Sequence, residues 1–156
     1  MTATTTRSNS GWLQRLQRRY SDASKIIKVG FPEGTESVTV SYPNSIRVVD
    51  VAVANEYGTD NVPARPFLSL SSADINNQCA LILEQSVVAL NNNNTQQHDQ
   101  LLDAAGSLAA GIVKQQITDL RSPPNAQSTI ERKGSSNPLI DTGLMRQTVT
   151  YKMVDK

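Results

Sequence analysis

Apolar side chains recur at three- and four-residue spacing in four stretches of the chain, and turn residues break the pattern between them. Trp12, Leu13, Leu16 and Tyr20 form the first series, which predicts an amphipathic helix over residues 11–23 with Arg15, Arg18 and Arg19 on another stripe. Residues 1–10 are rich in Thr and Ser and offer almost nothing to bury, so a disordered arm is expected there. KIIKVG at 25–30 and ESVTVSY at 36–42 are β-branched and partly alternating, and Phe31-Pro32-Glu33-Gly34 between them carries turn residues; a β-hairpin is expected.

Ile46, Val49, Val53 and Tyr57 have the spacing of a helix face, although so many valines also suit a buried strand. Gly58 stands where a helix stop belongs, and Pro63 and Pro66 hold 61–67 extended. Ser71 or Ser72 is placed to cap a long helix with core positions Ile75, Cys79, Ile82, Leu83, Val87 and Leu90. Asn91 to Asn94 then break the pattern, because asparagine favours turns over helix interiors.

A second long helix is expected from near Gln97, with Leu101, Ala105, Leu108, Ile112 and Ile117 on one side. Its Gly106 and Gly111 cost about 1 kcal/mol each against alanine but let a neighbouring element approach closely. Pro123-Pro124 ends it, because proline has no N–H and cannot sit inside a helical turn. A short helical turn at 129–133 and a closing strand at 147–153 complete the pattern. The fold class expected is α+β: a small antiparallel sheet of 25–30, 36–42 and 147–153 packed against two long helices, with the amphipathic helix at the N-terminus. At 156 residues, 11–156 is read as one domain after the arm at 1–10.

Charge changes this picture at one end only. The formal net charge is +1, yet residues 1–30 carry six basic side chains against Asp22 alone. Such a segment suits phosphates or an acidic protein surface, and equally a solvated helix face. With the remainder of the chain acidic on balance, and no zinc-finger or basic-zipper pattern, a dedicated DNA-binding domain is not expected. Hydrophobic residues make up 38% of the chain, below the roughly 45–50% of ordinary globular domains on a count that includes glycine. The single cysteine, Cys79, rules out an intramolecular disulfide and points to assembly in a reducing compartment. No signal peptide and no run of about 18 apolar residues is present, so no membrane partner is expected.

Catalytic constellations are sparse. The one histidine, His98, stands nineteen positions from Cys79, which leaves no metal-ligand cluster. No G-x-S-x-G elbow puts a serine beside it, and it is read as a surface residue near a helix start. Phosphate-cradling glycine motifs are missing, and Asp99 with Asp103 at i, i+4 suits a solvated face as well as an acid–base pair. No enzymatic activity and no cofactor are expected.

Two stretches carry more specific information. Residues 51–68 read VAVANEYGTDNVPARPFL, with N-E-Y-G-T followed by P-A-R-P-F; residues 123–151 contain P-P-N, R-K-G, P-L-I-D-T-G and M-R-Q in that order. By themselves, Gly58 permits a left-handed turn after Tyr57, and Pro63 and Pro66 present Arg65 and Phe67 in a restricted position. An ion pair of Arg65 with an acidic residue such as Glu56, within or between subunits, is expected. Leu139 and Ile140 offer an apolar pair, Asp141-Thr142-Gly143 a tight turn, and Met145 a return to the core.

In order and spacing these motifs resemble the tail-completion and neck proteins of long-tailed bacteriophages, also called virion-morphogenesis or minor tail proteins. The resemblance implies a structural protein in the neck or at the head-proximal end of the tail, made in the bacterial cytoplasm and carried in the virion. It implies a ring of identical copies, a hexamer or dodecamer, that completes the tail and joins it to the capsid connector, with neck, connector or tail-tube proteins as partners. A tail terminator or connector adaptor one ring away is the near alternative, and a nucleic-acid-binding accessory protein the distant one. Contact with DNA in the channel would give the basic segment a use. Interface residues expected on this reading are Arg15, Arg18, Arg19, Glu56, Tyr57, Gly58, Arg65, Pro66, Phe67, Leu139, Asp141, Gly143 and Met145. The basic helix and the asparagine run at 91–94 have no counterpart in the family pattern.

Overall fold

A computed structural model describes residues 25–35, 38–40 and 45–155, together with Gly11 and Gln14, both helical and exposed. The expected arm at 1–10 and, apart from those two positions, the helix at 11–23 lie outside the described residues. Within them the fold is mixed helix and antiparallel sheet, as the sequence predicts. Strand β1 is Lys25–Gly30, β2 Thr39–Val40 and β3 Ile46–Arg47; helix α1 is Val48–Tyr57, α2 Phe67–Asn91, α3 Thr95–Asp119, α4 Gln127–Lys133 and α5 Leu144–Thr148; β4 is Thr150–Asp155.

The two long helices form an antiparallel hairpin whose turn is the asparagine run. Asn94 caps α3 by accepting from the Gln97 amide at 3.0 Å, which satisfies a donor that the first helical turn leaves open. Between the helices Cys79 meets Ala105 and Ala109, its thiol directed to the Ala105 carbonyl at 3.6 Å. Ile27 and Val29 of β1 pack on this group, while Ile26 and Lys28 face away, the alternation of a strand with one covered side. Small residues on α3 make the approach possible. A Cβ on Gly106 would stand 2.3 Å from Cδ2 of Tyr151, so the β4 ring lies directly on the helix backbone there. Gly111, by contrast, faces open space.

The larger apolar cluster gathers Val48 and Ala52 of α1, Phe67 of α2, Val113 and Ile117 of α3, and Leu139, Met145 and Val149 of the C-terminal segment. Phe67 is fully buried and meets Phe31 edge-on, ring centroids 6.5 Å apart; burying such a side chain contributes about 1.5–3 kcal/mol.

Four expectations about the elements are corrected. Among the described residues the hairpin of 25–30 with 36–42 does not form: β1 pairs with β4, from Lys25 opposite Asp155 to Gly30 opposite Thr150. The two-residue β2 pairs instead with β3. A full six-residue ladder outweighs the local turn at Pro32, which Thr35 closes on the Pro32 carbonyl. The closing strand runs 150–155 rather than 147–153, because Gly143 at φ 79° starts one helical turn whose Gln147 amide donates back to its carbonyl. Helix α1 buries Val48, Ala52 and Glu56, leaving Val49 half-buried and Ile46, Val53 and Tyr57 exposed, so the inward stripe is a neighbouring one. Helix α2 begins at Phe67 rather than at Ser71 or Ser72, and Ser71 lies buried inside it with its hydroxyl on the Phe67 carbonyl.

Candidate functional site

The early start of α2 traces to Glu56. Its carboxylate, buried at the end of α1, accepts from the amides of Leu68 and Ser69 at 2.8 and 3.0 Å and from the Ser69 hydroxyl at 2.6 Å. A carboxylate from another helix thus supplies both the cap and the negative charge that a helix N-terminus favours. Gly58 then turns the chain at φ 77°; a Cβ there would lie 2.9 Å from the Ala64 nitrogen, so the position excludes a side chain on two counts. Thr59 finishes the turn, its hydroxyl accepting from Val62 at 3.1 Å and its amide donating to the Val62 carbonyl at 2.8 Å.

That turn delivers Arg65 to the second motif stretch. Its guanidinium donates to the carbonyls of Pro123 (2.8 Å) and Pro124 (3.1 Å) and to the side-chain oxygens of Asn125 (3.2 Å) and Asn55 (3.4 Å). Within the chain the expected ion pair with Glu56 is not made, because Glu56 is engaged on α2 and the fork of donors matches neutral oxygens instead. Arg65 is 4% exposed, and burial lowers its pKa from the ordinary guanidinium value. The second stretch is knit by Asn137, whose side-chain oxygen accepts from Leu139 and Ile140 and whose amide reaches the Thr118 carbonyl at 3.0 Å. Lys133 donates to the carbonyls of Asn137 and Pro138 at 3.3 and 3.4 Å; burial lowers its pKa, opposed by the nearby Asp141 carboxylate. Sequence reasoning missed Asn137 and Lys133, although an asparagine preceding proline is itself a turn signal.

No protein-family model, no curated protein and no solved structure matches this chain.

The residues expected at an interface divide sharply. Arg15, Arg18 and Arg19 lie outside the described residues. Glu56, Arg65, Phe67, Leu139 and Met145 turn their side chains inward, so the chain itself uses them. Gly58, Pro66 and Gly143 are half-buried backbone positions, while Asp141 is exposed and Tyr57 is 78% exposed. The structure does bring the two motif stretches together, with Phe67, Leu139 and Met145 in one cluster beneath the Arg65 network. Beside them opens a groove of about 770 Å³ with Ile46, Val51, Leu139, Met145, Lys133 and Asp141 on its walls.

A second surface was not anticipated. Leu83 and Val87, expected in the core, are 39% and 53% exposed, and Leu70, Leu81 and Val88 are exposed on a different side of α2. His98 is corrected in the opposite sense: it is 5% exposed, with Nδ1 2.9 Å from the Ser86 carbonyl and 3.1 Å from the Ser86 hydroxyl. A proton on Nδ1 donated to that carbonyl leaves the nitrogen unable to accept one from the serine, so the pair ties α3 to α2. Among the described residues no cluster of three His, Cys, Asp or Glu is placed to hold a metal ion, and no helix is long and apolar enough to cross a membrane.

Proposed function

We propose that this chain is a structural protein of the phage virion, a neck or head-proximal tail component that works through its surfaces. Identical copies form a ring, a hexamer or dodecamer, that completes the tail and joins it to the capsid connector. Its partners are other copies of itself and the adjoining neck, connector or tail-tube proteins, with the basic N-terminal segment free to meet DNA in the channel or an acidic neighbour.

The observation that carries this reading is the meeting of the two family-like stretches in one place. Residues 51–68 and 123–151 carry the resemblance, and their motif residues build a common framework through Arg65, Asn125 and Asn137. A framework held by hydrogen bonds presents its neighbouring surface with little ordering left to do on docking. Apolar side chains left outside give docking something to bury: Tyr57 and Val53 on α1 and Leu70 at the start of α2, with Leu81, Leu83, Val87 and Val88 further along that helix. Apolar area of this kind on a small subunit is the ordinary mark of a protein contact.

The test is the particle. Protein detection in purified virions should find the chain at the neck, and deleting its gene should yield filled heads and tails that do not join. Joined, infectious particles without the protein would end this reading. Localisation in a virion reconstruction separates the completion ring from a terminator or adaptor ring.

A further inference from the structure

Glu56 is a buried carboxylate against which the chain sets no cation. The residue is 6% exposed, and its partners are the Leu68 amide on Oε2 and the Ser69 amide and hydroxyl on Oε1. A carboxylate has about four acceptor sites, so with these bonds made one remains on Oε2. The head of α2 supplies roughly half a positive charge. About half of the negative charge is therefore left unopposed, in a place where an unopposed charge is costly.

That carboxylate belongs to the lining of an open cleft of about 390 Å³. Phe31, Val49, Val53, Tyr57 and Leu68 form its apolar walls, and no basic residue contributes to it among the described residues. Helix geometry explains the grouping: at about 100° per residue, Glu56 projects about 20° from Val49 and about 60° from Val53, with Tyr57 about 40° further round. Along this arc exposure rises, Val49 being half-buried, Val53 51% exposed and Tyr57 78% exposed. The cleft thus opens on solvent between α1 and the start of α2, with the carboxylate toward its buried end.

A guest that fits has an apolar stem, a cationic tip and an N–H to donate. Lysine and arginine side chains have all three, since their methylenes lie along apolar surface while the charged head reaches a polar partner. Two of the walls, Phe31 and Tyr57, are aromatic, and a ring face attracts a cation. An acidic guest would be repelled, and a purely apolar one would cover the charge without pairing it. The walls nearest solvent, Val53 and Tyr57, give the residues flanking such a side chain apolar area to cover; a free amine would leave them in water.

We propose that this cleft receives a lysine or arginine side chain of a neighbouring protein, which donates to Oε2 of Glu56 and lays its stem along Val49, Val53 and Leu68. The contact goes beyond the virion reading and is independent of it. A cleft that refuses basic side chains leaves a neck location untouched, and absence of the protein from virions leaves the chemistry of the cleft as it is.

The probes are blocked tripeptides with leucine on either side of a central arginine, lysine or glutamine. They are titrated at low ionic strength into the full-length, isotopically labelled protein and followed by the NMR amide signals of Leu68 and Ser69. The arginine and lysine peptides should shift both signals saturably in the millimolar range, weaken as salt rises, and bind about tenfold tighter than the glutamine peptide. Glu56→Gln disturbs the cap of α2, so the deciding variant is Val53→Lys, at an exposed position on the same wall. There the introduced ammonium takes the cleft from within, and the variant should keep the parent circular dichroism and lose peptide binding. Signals that do not move overturn the proposal, as does a glutamine peptide that binds as well as the basic ones, or peptide binding unchanged by Val53→Lys. So does binding of n-butylammonium without binding of the basic peptides, which makes the cleft a site for free amines.

Discussion

Glu56 and Arg65 occupy neighbouring turns and carry opposite charge, yet each is satisfied by backbone groups. A buried ion without its counter-ion is tolerable when several dipoles point at it, and costly once they are removed. Replacing Glu56 by Ala leaves the Leu68 and Ser69 amides open at the head of α2, and urea denaturation should register a loss of about 1–3 kcal/mol. Arg65→Lys keeps the charge but loses the fork that spans Pro123, Pro124 and Asn125. It should cost a similar ~1–3 kcal/mol and speed amide exchange in residues 123–140 before the rest of the chain. Gly58→Ala meets both a left-handed φ and the Ala64 backbone, and a loss of about 1–3 kcal/mol is expected. The importance of these motif residues was visible in the sequence; their partners were not, because a carbonyl or an amide acceptor leaves no charge pattern to read.

Elements were legible where local chemistry set their limits. The asparagine run and Pro123-Pro124 bound the helical hairpin, and the structure stops and restarts its helices at those places. Faces were less legible, since α2 has aliphatic residues on both sides and buries two serines, Ser71 with its hydroxyl on the Phe67 carbonyl and Ser86 beside His98. Strand pairing was the least legible: β1 finds its partner at the far end of the chain, and no turn signal links the two. The β4 strand is tied to α3 by Tyr151, whose hydroxyl donates to Asp103 at 2.5 Å. That bond, with some desolvation, raises the phenol pKa above its ordinary 10.0. Folding therefore favours the protonated phenol: the contribution is complete below pH 10 and is lost as pH rises through the raised value. Ultraviolet titration of the folded protein should show a tyrosine ionising late, and Asp103→Asn should return it to the ordinary range. An unchanged titration in that variant would refute the assignment.

At the scale of the whole molecule, residues that hold the fold and residues left exposed are largely different sets, and the sequence motifs mix them. Leu139 and Met145 belong to the cluster around Phe67, whereas Tyr57, in the same motif stretch as Phe67, stands almost fully in solvent. Truncating a buried Leu or Met removes its transfer free energy and leaves a cavity, so Leu139→Ala and Met145→Ala should each lose about 2–5 kcal/mol. Tyr57→Ser removes a ring that touches mostly water and should change stability by no more than about 0.5 kcal/mol. On the proposed function, particle joining should reverse that order when each variant is supplied at equal folded concentration: Tyr57→Ser should lower the yield of joined particles, while the core variants should join normally at temperatures where they stay folded. Normal joining by Tyr57→Ser would remove the exposed end of α1 from the docking surface and leave the exposed apolar residues of α2 as the contact to be tested next.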